Sequence, residues 1–118
     1  MKKVLIIITI YFLNSCNPMI DNPKLIIENK SDVTFDSIKA YTSLKFPTTF
    51  YSLKPNKIAK GKIVFNPNEK NDGCYKLIVY RKGNEFNKTC FGYYTNGSSL
   101  NQEFKIMIEN DTIKVVSK

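Results

Sequence analysis

Gly73-Cys74-Tyr75-Lys76-Leu77-Ile78-Val79-Tyr80-Arg81-Lys82-Gly83-Asn84 is the stretch that decides the fold. From Cys74 to Tyr80 it alternates. Tyr75, Leu77 and Val79 share one side; Cys74, Lys76, Ile78 and Tyr80 share the other. A period of two is the mark of a half-buried strand. Asn71-Asp72-Gly73 before it is a turn signal. Arg81-Lys82-Gly83-Asn84 after it reads as a hairpin turn with Gly83 in the left-handed position. Phe86 to Thr95 then returns as the partner strand. With the hairpin centred on Lys82, Cys74 faces Cys90 and Lys76 faces Lys88. Two lysines opposite each other are mildly unfavourable, which places this face in solvent.

The rest of the chain repeats this grammar. Leu25-Ile26-Ile27 is β-branched and apolar and ends in the turn cluster Asn29-Lys30-Ser31-Asp32. Val33, Phe35, Ile38 and Ala40 follow, with a phase change near Asp36-Ser37 that suggests a bulge. Thr48 to Leu53 lies between Pro47 and Pro55, and Ile58 to Phe65 ends at Asn66-Pro67-Asn68. Asn96-Gly97-Ser98-Ser99 reads as a loop. Glu103 to Glu109 alternates through Phe104, Ile106 and Ile108, and Asn110-Asp111 turns into Thr112 to Val116. No window places apolar residues at i, i+3, i+4 and i+7 behind a cap. The expectation is an all-β, single antiparallel β-sandwich of seven or eight strands.

The N-terminus sets the compartment. Met1-Lys2-Lys3 is basic, and Val4 to Leu13 is apolar except for Thr9. Ten residues suit a signal-peptide core and fall short of the ~20 that span a bilayer. Leu13-Asn14-Ser15-Cys16 follows. It resembles the bacterial lipobox, which implies cleavage before Cys16 and acylation of its thiol. Each buried CH₂ is worth about 0.8 kcal/mol, so two or three chains hold firmly where one does not. The expected organisation is a signal peptide at 1–15, a lipidated Cys16 with a short tether at 16–23, and a β domain at 24–118. The expected location is the bacterial cell envelope. Asn17 stands where an Asp typically retains lipoproteins in the inner membrane, so the outer membrane is the default.

The chain has three cysteines. If Cys16 carries lipid, Cys74 and Cys90 remain as a pair in an oxidising compartment. A disulfide is the leading reading and two free buried thiols the alternative. Removing fifteen residues from 118 leaves 103, one small domain. Losing Lys2 and Lys3 lowers the net charge from +8 to +6. The lysines alternate with apolar residues and form no block of five like charges. That argues for solvated strand faces and against nucleic acid, with a weak attraction to anionic lipid or polysaccharide as the alternative.

Two-sheet patterning after a lipobox resembles the immunoglobulin-like or transthyretin-like domains of bacterial envelope lipoproteins. Gly73-Cys74-Tyr75, Gly92-Tyr93-Tyr94 and the last hairpin carry the resemblance, together with the early strands that end at Asn29 and hold Ile38. The chain lacks Trp, so the buried Trp of antibody domains is absent. The resemblance implies a binding or structural module, with an accessory subunit of a secretion or envelope complex, or a small enzyme inhibitor, as alternatives.

The sequence contains no His, the commonest general base and metal ligand. It has no phosphate loop, paired-Cys metal spacing or nucleophile elbow. The expectations are therefore no catalytic residues, no metal and no cofactor. Ser98 and Ser99 have no evident base. Phe91 and Tyr93 share one strand face and Tyr94 the other. Tyr94 and Asn96, within Tyr93–Gly97, are the candidate recognition loop for an envelope protein or a glycan, presented by a monomeric domain. Asp36-Ser37-Ile38 and Asp111-Thr112-Ile113 resemble an O-glycosylation sequon of exported proteins, with Ser37 and Thr112 as acceptors.

Overall fold

A computed structural model describes residues 22–118. The expected signal peptide, Cys16 and the first part of the expected tether lie outside the described residues. The remainder is all β. Its strands are β1 (Lys24–Asn29), β2 (Phe35–Tyr41), β3 (Thr48–Leu53), β4 (Ile58–Lys62), β5 (Gly73–Arg81), β6 (Asn84–Thr95), β7 (Ser98–Ser99), β8 (Glu103–Ile108) and β9 (Ile113–Ser117). Two sheets pack together, one ordered β4-β1-β8-β9 and the other β3-β2-β5-β6-β7. The strand count exceeds the expected eight by the two-residue β7.

Pairing is antiparallel except between β1 and β8, the central pair of the four-stranded sheet. A parallel pair needs a crossover connection. Here the crossover is most of the chain, and β2, β3, β5, β6 and β7 within it build the opposite sheet. The core lies between the sheets, where alternate residues point inward. Leu25 and Ile27 of β1, Ile106 and Ile108 of β8, and Leu77 and Val79 of β5 are all fully buried. Removing such side chains from water contributes about 1.5–3 kcal/mol each.

Tyr75 is the largest fully buried side chain and stands at the centre of an aromatic cluster. Its ring centroid lies 4.9 Å from Phe104, 5.2 Å from Tyr94, 5.3 Å from Phe91 and 6.0 Å from Phe65. Phe91 and Tyr94 are both buried, whereas Tyr93 is 53% exposed. That corrects the expected pairing of Phe91 with Tyr93. The register of β5 against β6 shifts between Gly73 and Tyr75, and Gly92 has φ +56. The extra residue reverses the alternation and turns Tyr94 inward.

The β5–β6 hairpin turns at Lys82-Gly83, both with positive φ, as a two-residue type I′ turn requires. The two-residue turn centres the hairpin between Lys82 and Gly83 rather than on Lys82, and a second irregularity, between Val79 and Tyr80, moves the register one residue further. Lys76 therefore faces Cys90, and Ile78 faces Lys88. The Cys74–Cys90 bridge forms all the same, diagonally across the bulge, with Cα atoms 5.7 Å apart. A diagonal partner two residues along keeps the same face, so the bridge lies on the outside of the sheet. Lys76 Nζ sits 3.8 Å from each sulfur.

The bridge closes a loop with a sequence separation of 16. Loop-closure entropy then gives about 2–3 kcal/mol. Reduction is expected to lower Tm by roughly 10–20 °C, at about 4–8 °C per kcal/mol. A melting curve unchanged by reductant would show that the bridge does not constrain the unfolded chain.

Candidate functional site

The residues singled out in the sequence do not converge. Tyr94 is core and presents no recognition surface, which corrects the expectation for it. Ser99 is buried; its Oγ accepts from the Tyr75 hydroxyl at 2.8 Å and donates to the Asn101 carbonyl at 2.7 Å. Among the described residues no three His, Cys, Asp or Glu side chains cluster as metal ligands. Ser37 lies mid-strand in β2, between Tyr51 and Tyr80 across the sheet. Thr112 is exposed in the turn between β8 and β9.

Asn96 lies in a different setting from Tyr94. Thr95 pairs with Ser98, so Asn96 and Gly97 form a two-residue turn, with φ +50 and +70. This is the Asn-Gly type I′ hairpin, a signal the sequence contained but which reads as a plain loop when the strand after it is only two residues long. Asp72 clamps the turn: its Oδ1 accepts from the Asn96 N–H at 2.7 Å and the Thr95 hydroxyl at 2.9 Å. Those bonds, the backbone one first, hold its carboxyl below the ordinary value. Gly97 N–H donates to the Asn71 carbonyl at 3.0 Å.

The clamped turn forms one wall of a groove of about 630 Å³, whose lining includes Asn96, Phe46, Val64, Pro67, Glu69 and Lys70. Phe46 is 40% exposed and Val64 42% exposed. Asn66 also lines it: it is buried, and its Oδ1 accepts from the Asn68 N–H at 3.0 Å. The groove combines exposed apolar side chains with amide, carboxylate and ammonium groups. Such a mixture of apolar and polar lining groups is the kind that can orient a small ligand. Asn22, the first described residue, also lines it. Of the Tyr93–Gly97 loop singled out in the sequence, Asn96 and Gly97 line the groove; most other contributors come from the β2–β3 connection and the segment after β4.

A second surface is the outer face of the five-stranded sheet. Tyr51 is 76% exposed there, and the Tyr80 ring lies beneath Lys39 Nζ at 5.5 Å.

Beneath the groove, burial pushes the phenols of Tyr75 and Tyr94 above their ordinary 10.0. The Ser99 hydrogen bond opposes the shift at Tyr75, and the charges of Glu69 and Asp72 add to it at Tyr94. The unfolded chain ionises these groups first as pH rises. The stability they contribute is fully present below pH 10 and is lost as pH climbs through the raised folded values. Tyrosinate absorbance is expected to rise in two phases, the second coinciding with loss of the β circular-dichroism signal. A single phase with the fold intact would contradict this.

No protein-family model matches the chain, and no curated protein matches it. Among solved structures, the NMR structure of a protein from Eubacterium rectale is similar over 82% of this chain and 88% of its own, at 10% identity and a TM-score of 0.49.

Proposed function

We propose that this is a lipid-anchored bacterial envelope protein whose β domain is a non-catalytic binding module. The groove beside Asn96 carries the binding part of the reading: it exposes Phe46 and Val64 between clamped turns, where a folded domain with no partner would gain by covering them. Leu13-Asn14-Ser15-Cys16 carries the anchor. Of the two sandwich classes the sequence resembles, the strand order supports the transthyretin-like one. Immunoglobulin domains keep their first two strands in one sheet, whereas β1 and β2 here lie in different sheets. Of the two sequons, Thr112 is the better presented to a glycosyltransferase.

Two experiments separate the parts. Cys16→Ala is expected to leave an unprocessed precursor or to remove the protein from the membrane fraction; normal cleavage with unchanged fractionation would refute the anchor. A photo-crosslinking residue at position 96, in intact cells, is expected to give a discrete adduct that the same residue at position 82 does not. Equal labelling at both would remove the groove as a binding surface.

A further inference from the structure

The outer face of the β4-β1-β8-β9 sheet is crowded with lysine. Lys24 lies on β1, Lys60 and Lys62 on β4, Lys105 on β8 and Lys114 on β9, with Lys118 just after it. Three glutamates answer three of them. Lys105 pairs with Glu28 at 3.8 Å, Lys114 with Glu109 at 3.2 Å and Lys118 with Glu103 at 3.8 Å. Among the described residues, Lys24, Lys60 and Lys62 make no ion pair. Lys24 is opposite Lys62 in the register, and Lys60 is one row along, opposite Ile26. The three rim a shallow recess of about 420 Å³, which Glu103, opposite Lys24 on β8 and paired with Lys118, also lines.

The unmatched lysines sit where the chain enters the domain. Pro23 is buried, and its carbonyl accepts from the Ile63 N–H at 3.1 Å, so the chain is fixed up to that point. Seven residue steps separate Pro23 from Cys16. At no more than about 3.6 Å each, they span about 25 Å. A lipid on Cys16 therefore holds this sheet within a short distance of a bilayer. Charges more than about 10 Å apart are largely screened at physiological salt, so the lysines act on a membrane only by lying against it.

We propose that this face docks on the anionic phospholipid headgroups of the leaflet that holds the anchor, an inference that rests on the lipid-anchor reading above. The unmatched ammonium groups seat the phosphates, and Ile58 and Val116, both more than half exposed on the same face, meet the headgroup boundary. The opposite face, with Tyr51 and Tyr80, then points away from the membrane.

The test uses the full acylated protein in vesicles of phosphatidylcholine alone or mixed with phosphatidylglycerol. Lysines are labelled with a membrane-impermeant amine reagent and located by mass spectrometry. Each lysine brought against an anionic surface changes its partition about fivefold. Lys24, Lys60 and Lys62 are expected to react about fivefold less on the phosphatidylglycerol vesicles, an effect that high salt removes. Lys39, Lys76 and Lys88 on the other sheet are expected to react equally on both. The variant Lys24→Gln/Lys60→Gln/Lys62→Gln, all at the surface, is expected to abolish any difference at Lys105. Labelling independent of lipid, or equal protection of both sheets, would overturn the docking. Protein that fails to float with phosphatidylcholine lacks the anchor, which overturns both readings; protein that floats without lysine protection overturns the docking alone.

Discussion

Gly92→Ala is expected to lower the stability of the domain by about 4 kcal/mol, a loss of roughly 15–30 °C in Tm. Two separate penalties meet at this residue. Its φ of +56 is left-handed, where a Cβ crowds the backbone and costs about 1–2 kcal/mol. A Cβ there would also stand 2.6 Å from Phe104 Cε1, 2.8 Å from its Cζ and 3.1 Å from Tyr75 Cδ2. Those rings are the centre of the aromatic cluster and are fully buried, so neither swings aside into solvent. Forcing them apart adds about 1–3 kcal/mol. Gly83→Ala is the control. It has φ +75 but nothing within 4 Å of a new Cβ, so only the backbone term applies. Equal losses at the two positions, by thermal or denaturant melts, would show that Phe104 yields and that the cluster is not close-packed.

Gly92 also shows where sequence reading stops. The alternation of β5 was legible because each of its faces meets a single environment from Tyr75 to Val79. In β6 the same reading carried straight through Gly92 and placed Tyr93 beside Phe91. Either tyrosine can fill a core, and only the partner strand's register chooses between them. The disulfide survived the wrong register because the bulge draws the diagonal pair to a Cα separation of 5.7 Å, within bridging range, where an unbulged diagonal would stand about 7–8 Å apart. Of the groove, only Asn96 and Gly97 were legible. Phe46, Val64 and Pro67 belong to it through the return of two connections to one end of the sheets, and no local pattern records that. The lysines of β1 and β4 looked like ordinary solvated alternation; their concentration appears only when β1 is placed between β4 and β8.

Asn29 is the residue the sequence disguised most. It stands in Asn29-Lys30-Ser31-Asp32, which reads as a solvent turn, yet it is fully buried. Its Nδ2 donates to the Val33 carbonyl at 2.8 Å and the Leu53 carbonyl at 2.9 Å. Its Oδ1 accepts from the Ser31 N–H at 2.9 Å and the Ser31 hydroxyl at 2.6 Å. Its own N–H donates to the Lys57 carbonyl, and its carbonyl accepts from the Asn56 N–H. One side chain thus joins the end of β1, in one sheet, to the end of β3, in the other. Asn29→Ala leaves two buried carbonyls and the Ser31 donors without their partner, at about 1–3 kcal/mol for each group that finds no water. The expected loss is about 4 kcal/mol. Asn29→Asp distinguishes hydrogen bonding from mere volume. It keeps the shape and the acceptor but sets a carboxylate against two carbonyl oxygens. Burial and that repulsion raise the folded pKa of the new carboxyl above its unfolded value. Its penalty is therefore absent below the unfolded value and grows as pH rises through and beyond it. The Asp variant is expected to approach wild-type stability in acid and to fall well below it at neutral pH. A difference from wild type that does not vary with pH would mean that water reaches position 29 and that the two sheets are not tied together there.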